Sequence, residues 1–290
     1  MAGVRQIVAG RGRRTIRLPE DKQWLTEALL AELARKPSED FDLAYLLRDM
    51  AKNSHLYRVR RGRYVIAPDG TFTVQQAASA GLVADLILSD QGDYYISHLS
   101  ALIAHRLTDM HSSEVFATIR QSSTFTETYV ELPMGQLRIV RIADDRWPAA
   151  RSIERVRALD GTREFVQRAT IELALVDSIA RPEYSAGIET VVSAWTRALR
   201  HEVDWNEVAS IASRRGDSDA RRVAYLLKLI GKDDVVTSVF PDMTGRGQKV
   251  LFDRSKSFGE ANSGTRDSQT GVVINVPLTL LQAWARPSAG

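Results

Sequence analysis

Four arginines crowd around one glycine in the stretch YRVRRGRYVIAP, Tyr57 to Pro68. Arg58, Arg60, Arg61 and Arg63 carry planar, permanently charged guanidiniums, the side-chain chemistry that suits phosphate oxygens. Cations spaced along a hairpin can touch successive phosphates of a duplex. The helical stretch just before them offers Tyr45, Arg48 and Lys52 on the face opposite its leucines, with Asn53 at its end. A recognition helix needs such a polar face to reach base edges. A third group, Arg11, Arg13 and Arg14 within GRGRR, fits a flexible arm lying in a minor groove, where the narrow walls concentrate negative potential.

Other chemistry finds weaker footing. His98 and His105 lie seven apart, with Asp109 and His111 following, but helical zinc sites use i, i+4 pairs with a third ligand, so no metal site is expected. The run Gly245-Arg-Gly-Gln-Lys249 lacks the spacing of a phosphate loop and is followed by strand-like residues where a helix should begin. Asp144-Asp145 and Asp233-Asp234 are adjacent carboxylates in segments that read as loops, a poor arrangement for convergence on one metal. No GxSxG elbow is present, and the chain has no cysteine, which excludes disulfides, thiolate nucleophiles and cysteine metal sites. Neither enzyme chemistry nor a cofactor is expected.

The elements that must position the arginines follow from periodicity. Asp21 to Lys36 reads as a helix, with Leu25, Ala28, Leu29 and Leu33 on one face and Pro37 as its stop. Phe41 to Lys52 reads as a second, with Leu43, Leu46, Leu47 and Met50 at i, i+3, i+4 and i+7. Val4, Ile7 and Val8 suffice for one helical turn at most. Leu56 to Ile66 reads as two short strands joined at Arg61-Gly62, with Arg58 and Arg60 two apart and so on one strand face. Further on, Gln75 to Ser89 reads as a helix, Tyr94 to Ser97 as a strand, and His98 to Leu107 as a helix that Ser97 is placed to cap. Strands are expected at Glu114–Arg120, Thr128–Leu132 and Leu137–Ile142. From about Thr162 the chain turns helical: Arg168–Ala180, Ala186–Arg200, Asn206–Arg214 and Arg221–Ile230, the last closed by Gly231. VLFD and GVVINVP near the carboxy terminus read as strands, and GEANSGTRDSQTG between them as a polar loop.

Charge sharpens this division. Met1 to Ile66 holds 14 Lys and Arg against 8 Asp and Glu, whereas the rest holds 25 against 28. A basic head on a slightly acidic body suggests that the head meets a polyanion. Hydrophobic residues at 44% and charged residues at 26% are the mix of a folded globular protein. No apolar run approaches the length of a membrane span, and the amino terminus has no apolar core of a secretory signal, so a cytoplasmic location is expected.

Two stretches resemble the AbiEi-type antitoxins of type IV toxin–antitoxin systems. YYISHLSALIAHRLTDMHSSEVFATI, Tyr94 to Ile119, is similar to that family's strand, Ser-His-x-Ser-Ala-Leu helix and following strand. ATIELALVDSIARPEYSAGIETVVSAWTRAL (Ala169–Leu199) and VDWNEVASIASRRGDSDARRVAYLLKLIG (Val203–Gly231) are similar to its Leu-x-Asp-x-x-x-x-Pro-x-x-x-x-Gly-Ile segment and its Asp-Trp and Arg-Arg-x-x-Tyr-Leu-Leu helices. Gly62-Arg63-Tyr64-Val65 stands where the family carries its wing. The resemblance implies a winged helix that represses its own operon by binding promoter DNA. It also implies a carboxy-terminal domain that neutralises a nucleotidyltransferase toxin without a stable complex. That family has three helices before its wing, whereas here two are legible. Either residues 4–9 form a stunted first helix or the domain is reduced.

The expected fold is α+β. A winged helix-turn-helix with a basic tail occupies 1–70. An antitoxin-like domain fills 71–290, mixed α/β over 71–160, mainly helical over 161–231, and ending in strands over 232–290. The expected function is a DNA-binding repressor and antitoxin. The alternative is an interaction protein whose basic head binds RNA or the toxin directly.

Overall fold

A computed structural model describes residues 4–9, 14–19, 24–26, 48, 50, 52, 56–60, 63–66, 84, 87–88, 92–132, 135–157, 165–240, 243, 249–255 and 264–286. The protein mixes helices and sheets, as an α+β chain should, and divides into two units. One comprises residues 1–94, 123–138 and 155–167, the other 95–122, 139–154 and 168–290.

In the first unit, β1 (Val4–Ala9) and β2 (Arg14–Pro19) pair antiparallel with Ile7 opposite Ile16. This replaces the helical turn expected at residues 4–9. The segment Val-Arg-Gln-Ile-Val-Ala carries three β-branched residues, which favour extended backbone, and a Gly-Arg-rich connection follows it. A second sheet has the order β3-β5-β4, formed by β3 (Trp24–Thr26), β4 (Leu56–Arg60) and β5 (Arg63–Ile66). The two strands of the expected hairpin are present. The helix expected over residues 21–36 is not what Trp24–Thr26 form: Trp24, Leu25 and Thr26 pair with Val65, Tyr64 and Arg63. A two-stranded hairpin is marginal in water, and a third strand satisfies the open side of β5, so pairing overrides local helical spacing. Of the helix expected at 41–52, Arg48, Met50 and Lys52 are helical, with Met50 buried and Arg48 and Lys52 exposed, as the leucine face requires. Ala84, Ile87 and Leu88 are likewise helical and buried.

A six-stranded sheet has the order β10-β11-β6-β7-β9-β8. Its strands are β6 (Tyr94–Ile96), β7 (Glu114–Arg120), β8 (Tyr129–Leu132), β9 (Gly135–Ile142), β10 (Ile153–Arg157) and β11 (Phe165–Ala169). Strands β6 and β11 run parallel, with Arg168 opposite Ile96. The last two strands fall where helix or nothing was expected, and Arg168 belongs to β11, not to the helix after it.

The helices of the second unit pack into one core. They are α1 (His98–Ala104), α2 (Ile171–Ala180), α3 (Ile188–Ala198), α4 (Trp205–Arg215), α5 (Asp217–Leu229), α6 (Asp233–Val239) and α7 (Leu278–Trp284). Every residue from Leu173 to Ala180 is buried, because α2 is mostly apolar and contacts α1, α3, α4 and α5. Thr170 caps it, its side chain accepting from the Leu173 amide, and Pro182 follows its end. Asp204 caps α4 by accepting from the amides of Asn206 and Glu207 at 3.0 and 3.1 Å. Gly231 takes φ +79° after α5, the left-handed position expected of it. Trp195, fully buried on α3, donates to the Leu175 carbonyl at 3.2 Å. The carboxy-terminal sheet has the order β12-β14-β13, from Val250–Leu251, Val272–Ile274 and Thr265–Arg266. Thus part of the expected polar loop is strand. The short helices α6 and α7 were not legible, and Asp233-Asp234 open α6 instead of lying in a loop. Among the described residues no helix is long and apolar enough to cross a membrane.

Candidate nucleic-acid interface

The arginines of the hairpin are placed by its register. Arg60 lies opposite Arg63 and Arg58 opposite Tyr64, while Tyr57 and Leu56 pair with Val65 and Ile66. The register shifts between Arg58 and Arg60, which is a bulge. The strict two-residue alternation that spacing implied for Arg58 and Arg60 is therefore interrupted at Val59. Bulges twist and re-aim an antiparallel pair, so the cationic end of the hairpin is not a flat ribbon. Arg14 opens β2 opposite Ala9, which ties its backbone into a sheet and corrects its place on a flexible arm. Arg48 and Lys52 are exposed on their helix. Arg11, Arg13, Tyr45, Asn53 and Arg61 lie outside the described residues, as does the Gly245–Gln248 run.

Sequence reasoning missed a buried polar centre in the second unit. Arg215, at the end of α4, donates through Nη2 to Asp177 Oδ1 at 2.6 Å and to the Tyr95 hydroxyl at 3.1 Å. Asp177 sits on α2 and Tyr95 on β6, so three elements meet at one guanidinium. Burial raises the Asp177 carboxyl, and Arg215 and Tyr95 oppose that shift by hydrogen bonding the ionised form. Burial is the largest single influence on the Arg215 guanidinium and lowers it, but the charges of Asp177 and Tyr95, with the Tyr95 hydrogen bond, together exceed it and hold the group above its ordinary value. Burial and the Asp177 charge push the Tyr95 phenol up. Asp177 Oδ2 and Arg215 Nε have no hydrogen-bond partner, so the pair is not fully satisfied.

His98 is packed at the edge of the same centre. It is 3% exposed, adopts φ +48° at the first position of α1, and meets the rings of Tyr184 and Phe116 at 5.4 and 6.3 Å. Burial, with Arg215 second, pushes its imidazole down to about 3, so it is neutral. Ser97 occupies the N-cap position but does not cap: its hydroxyl accepts from Thr118 at 2.8 Å. His105 Nε2 bonds the Ala169 carbonyl at 2.8 Å, and burial lowers it too. His98 and His105 are thus framework residues, and among the described residues no group of three or more His, Asp and Glu is arranged to hold a metal.

No family model matches the chain, and no curated protein matches it. The RV2827C protein from Mycobacterium tuberculosis is a solved structure with the same fold: the TM-score is 0.67 at 15% identity, over 97% of this chain and 100% of that one.

Proposed function

We propose that the chain is a DNA-binding transcriptional repressor of its own operon, and the antitoxin to a nucleotidyltransferase-type toxin. In this reading residues 1–70 form a winged helix-turn-helix, and the chain acts in the cytoplasm and catalyses no reaction. The observation that carries it is the register of the basic hairpin: Arg60 and Arg63 are directly opposed, Arg58 lies one bulge away, and a third strand backs β5. A hairpin with arginines at these register positions can serve as a wing against phosphates, and the helical Arg48 and Lys52 are exposed in the segment before it. The resemblance of Tyr94–Ile119 and Ala169–Gly231 to AbiEi-type antitoxins supplies the operon and toxin.

A gel shift with the chain's own promoter duplex tests the first half. Retention that weakens steeply with salt is expected, because several counterions are released. Equal retention of unrelated RNA, or none of promoter DNA, would overturn it. Co-expression with the neighbouring nucleotidyltransferase tests the second: growth should be restored, and the toxin should not co-purify. Co-purification would favour direct toxin binding instead.

A further inference from the structure

A cavity of about 460 Å³ lies in the second unit between the end of α3, the turn after α1 and the end of α7. Arg106, Arg197, Arg200, Arg286 and His201 line it, and among the described residues no carboxylate does. Ser193, Arg197 and Arg200 stand at i, i+4 and i+7 and so share one face of α3 and its extension. Helix α7 packs on α3 and brings Trp284 and Arg286 to the other wall. Arg106 is held at φ +58°, a backbone state unusual for a residue with a Cβ. The Arg197 guanidinium already holds an anion, the carboxylate of Asp109, whose side chain is 83% exposed. That contact keeps the Asp109 carboxyl below its ordinary range.

We infer that this cavity binds a phosphate group carrying an aromatic base, either a free nucleotide or a nucleotide within a single strand, with the phosphate competing against Asp109 for the Arg197 guanidinium. Clustered guanidiniums match phosphate oxygens in fork geometry, which a single ammonium cannot do. Trp284 provides a ring on which a base stacks. The volume is that of a small-ligand pocket, within the usual range of about 300–1,000 Å³. The inference does not depend on the wing.

Calorimetric titration with ADP, inorganic pyrophosphate and a 5′-phosphorylated hexadeoxyadenylate tests it. The oligonucleotide is titrated into a variant lacking Arg58, Arg60, Arg61 and Arg63, so the hairpin contributes nothing. Saturable one-to-one binding of ADP or of the hexamer is expected; tighter ADP identifies a free nucleotide, and a tighter hexamer identifies a strand. Arg197→Ala and Arg286→Ala should each weaken the bound probe at least tenfold. Trp284→Ala should weaken the base-bearing probe several-fold and leave pyrophosphate unchanged. Asp109→Asn should tighten all probes that bind, by several-fold. Absence of saturable binding of ADP and hexamer at millimolar concentration, to both the natural chain and Asp109→Asn, would overturn the inference. So would binding that the two arginine changes leave untouched.

Discussion

Two segments hold four arginines each, but only one of them interleaves acids. In RVRRGR, Arg58 to Arg63, no acidic residue intervenes. In RRGDSDARR, Arg214 to Arg222, Asp217 and Asp219 are interleaved. The second segment turns inward. Arg221 donates to Asp217 at 2.7 Å and to the Thr270 carbonyl at 2.8 Å. Arg222 donates to the Leu251 carbonyl at 2.8 Å and to Asp219 at 3.1 Å, and Arg215 holds Asp177 and Tyr95. These guanidiniums act as struts that tie α5 to the carboxy-terminal sheet and α4 to α2. Clustering alone does not mark a polyanion site. Acids interleaved at helical spacing mark cations meant for the protein itself.

The contrast breaks most sharply at Arg215. Arg215→Ala or Asp177→Ala leaves one buried charge uncompensated and should cost about 3–5 kcal/mol in urea unfolding. Replacing both together with apolar residues, as Asp177→Leu with Arg215→Met, should recover most of that loss, because the burial penalty disappears with the charges. If Arg215→Ala cost no more than a surface change, the strut assignment would fail.

At the hairpin the outcome should invert. If these cations serve the duplex, changing Arg58, Arg60, Arg61 and Arg63 to Ala should leave stability within about 0.5 kcal/mol, the range of surface substitutions. Promoter affinity should fall by about 100-fold and the salt slope by about three to four, roughly one per phosphate contact, read from binding isotherms at several salt concentrations.

The buried centre also sets a pH dependence. His98 in the folded chain is held at about 3, below its unfolded value near 6.5. Its contribution is therefore complete above about pH 6.5 and is lost as pH falls toward 3, because the unfolded chain takes up the proton first. Unfolding free energy should drop by about 2 kcal/mol between pH 7 and pH 5 from this group alone. His98→Asn, which tolerates the same left-handed backbone, should remove that part of the slope. The smallest effect concerns the entry to α4. Asp204→Ala removes two capping bonds and should cost about 1 kcal/mol in the same urea assay, with DNA binding unchanged.

Much of the second unit was legible because its helices are long and their apolar faces regular. The segments α2 to α5 fall close to where periodicity put them, and Glu114–Arg120 is a strand to the residue. What escaped is short or decided at a distance. Strand β11 has five residues and runs into α2, so its apolar positions read as an early start of that helix. Trp24–Thr26 read as helix on local spacing and became strand because β5 had an open side. The Arg215–Asp177–Tyr95 centre joins residues up to 120 positions apart, and nothing in local spacing marks them as partners. The cationic cavity draws on three elements and has no linear signature either.

That separation of 120 residues is also an interval of time. A ribosome adding about 5–20 residues per second delivers Arg215 roughly 6–24 s after Tyr95. For more than half of that interval β6 lacks its parallel neighbour β11, and throughout it the Tyr95 hydroxyl lacks its cation, while Asp177, made 82 residues after Tyr95, waits only for the last part. The hairpin strands, Leu56 to Ile66, are made early and pair over a few residues, so they need not wait. The nascent chain thus presents its arginines to the cell while its largest core is still being written, and aggregation or premature binding must be resisted in that window.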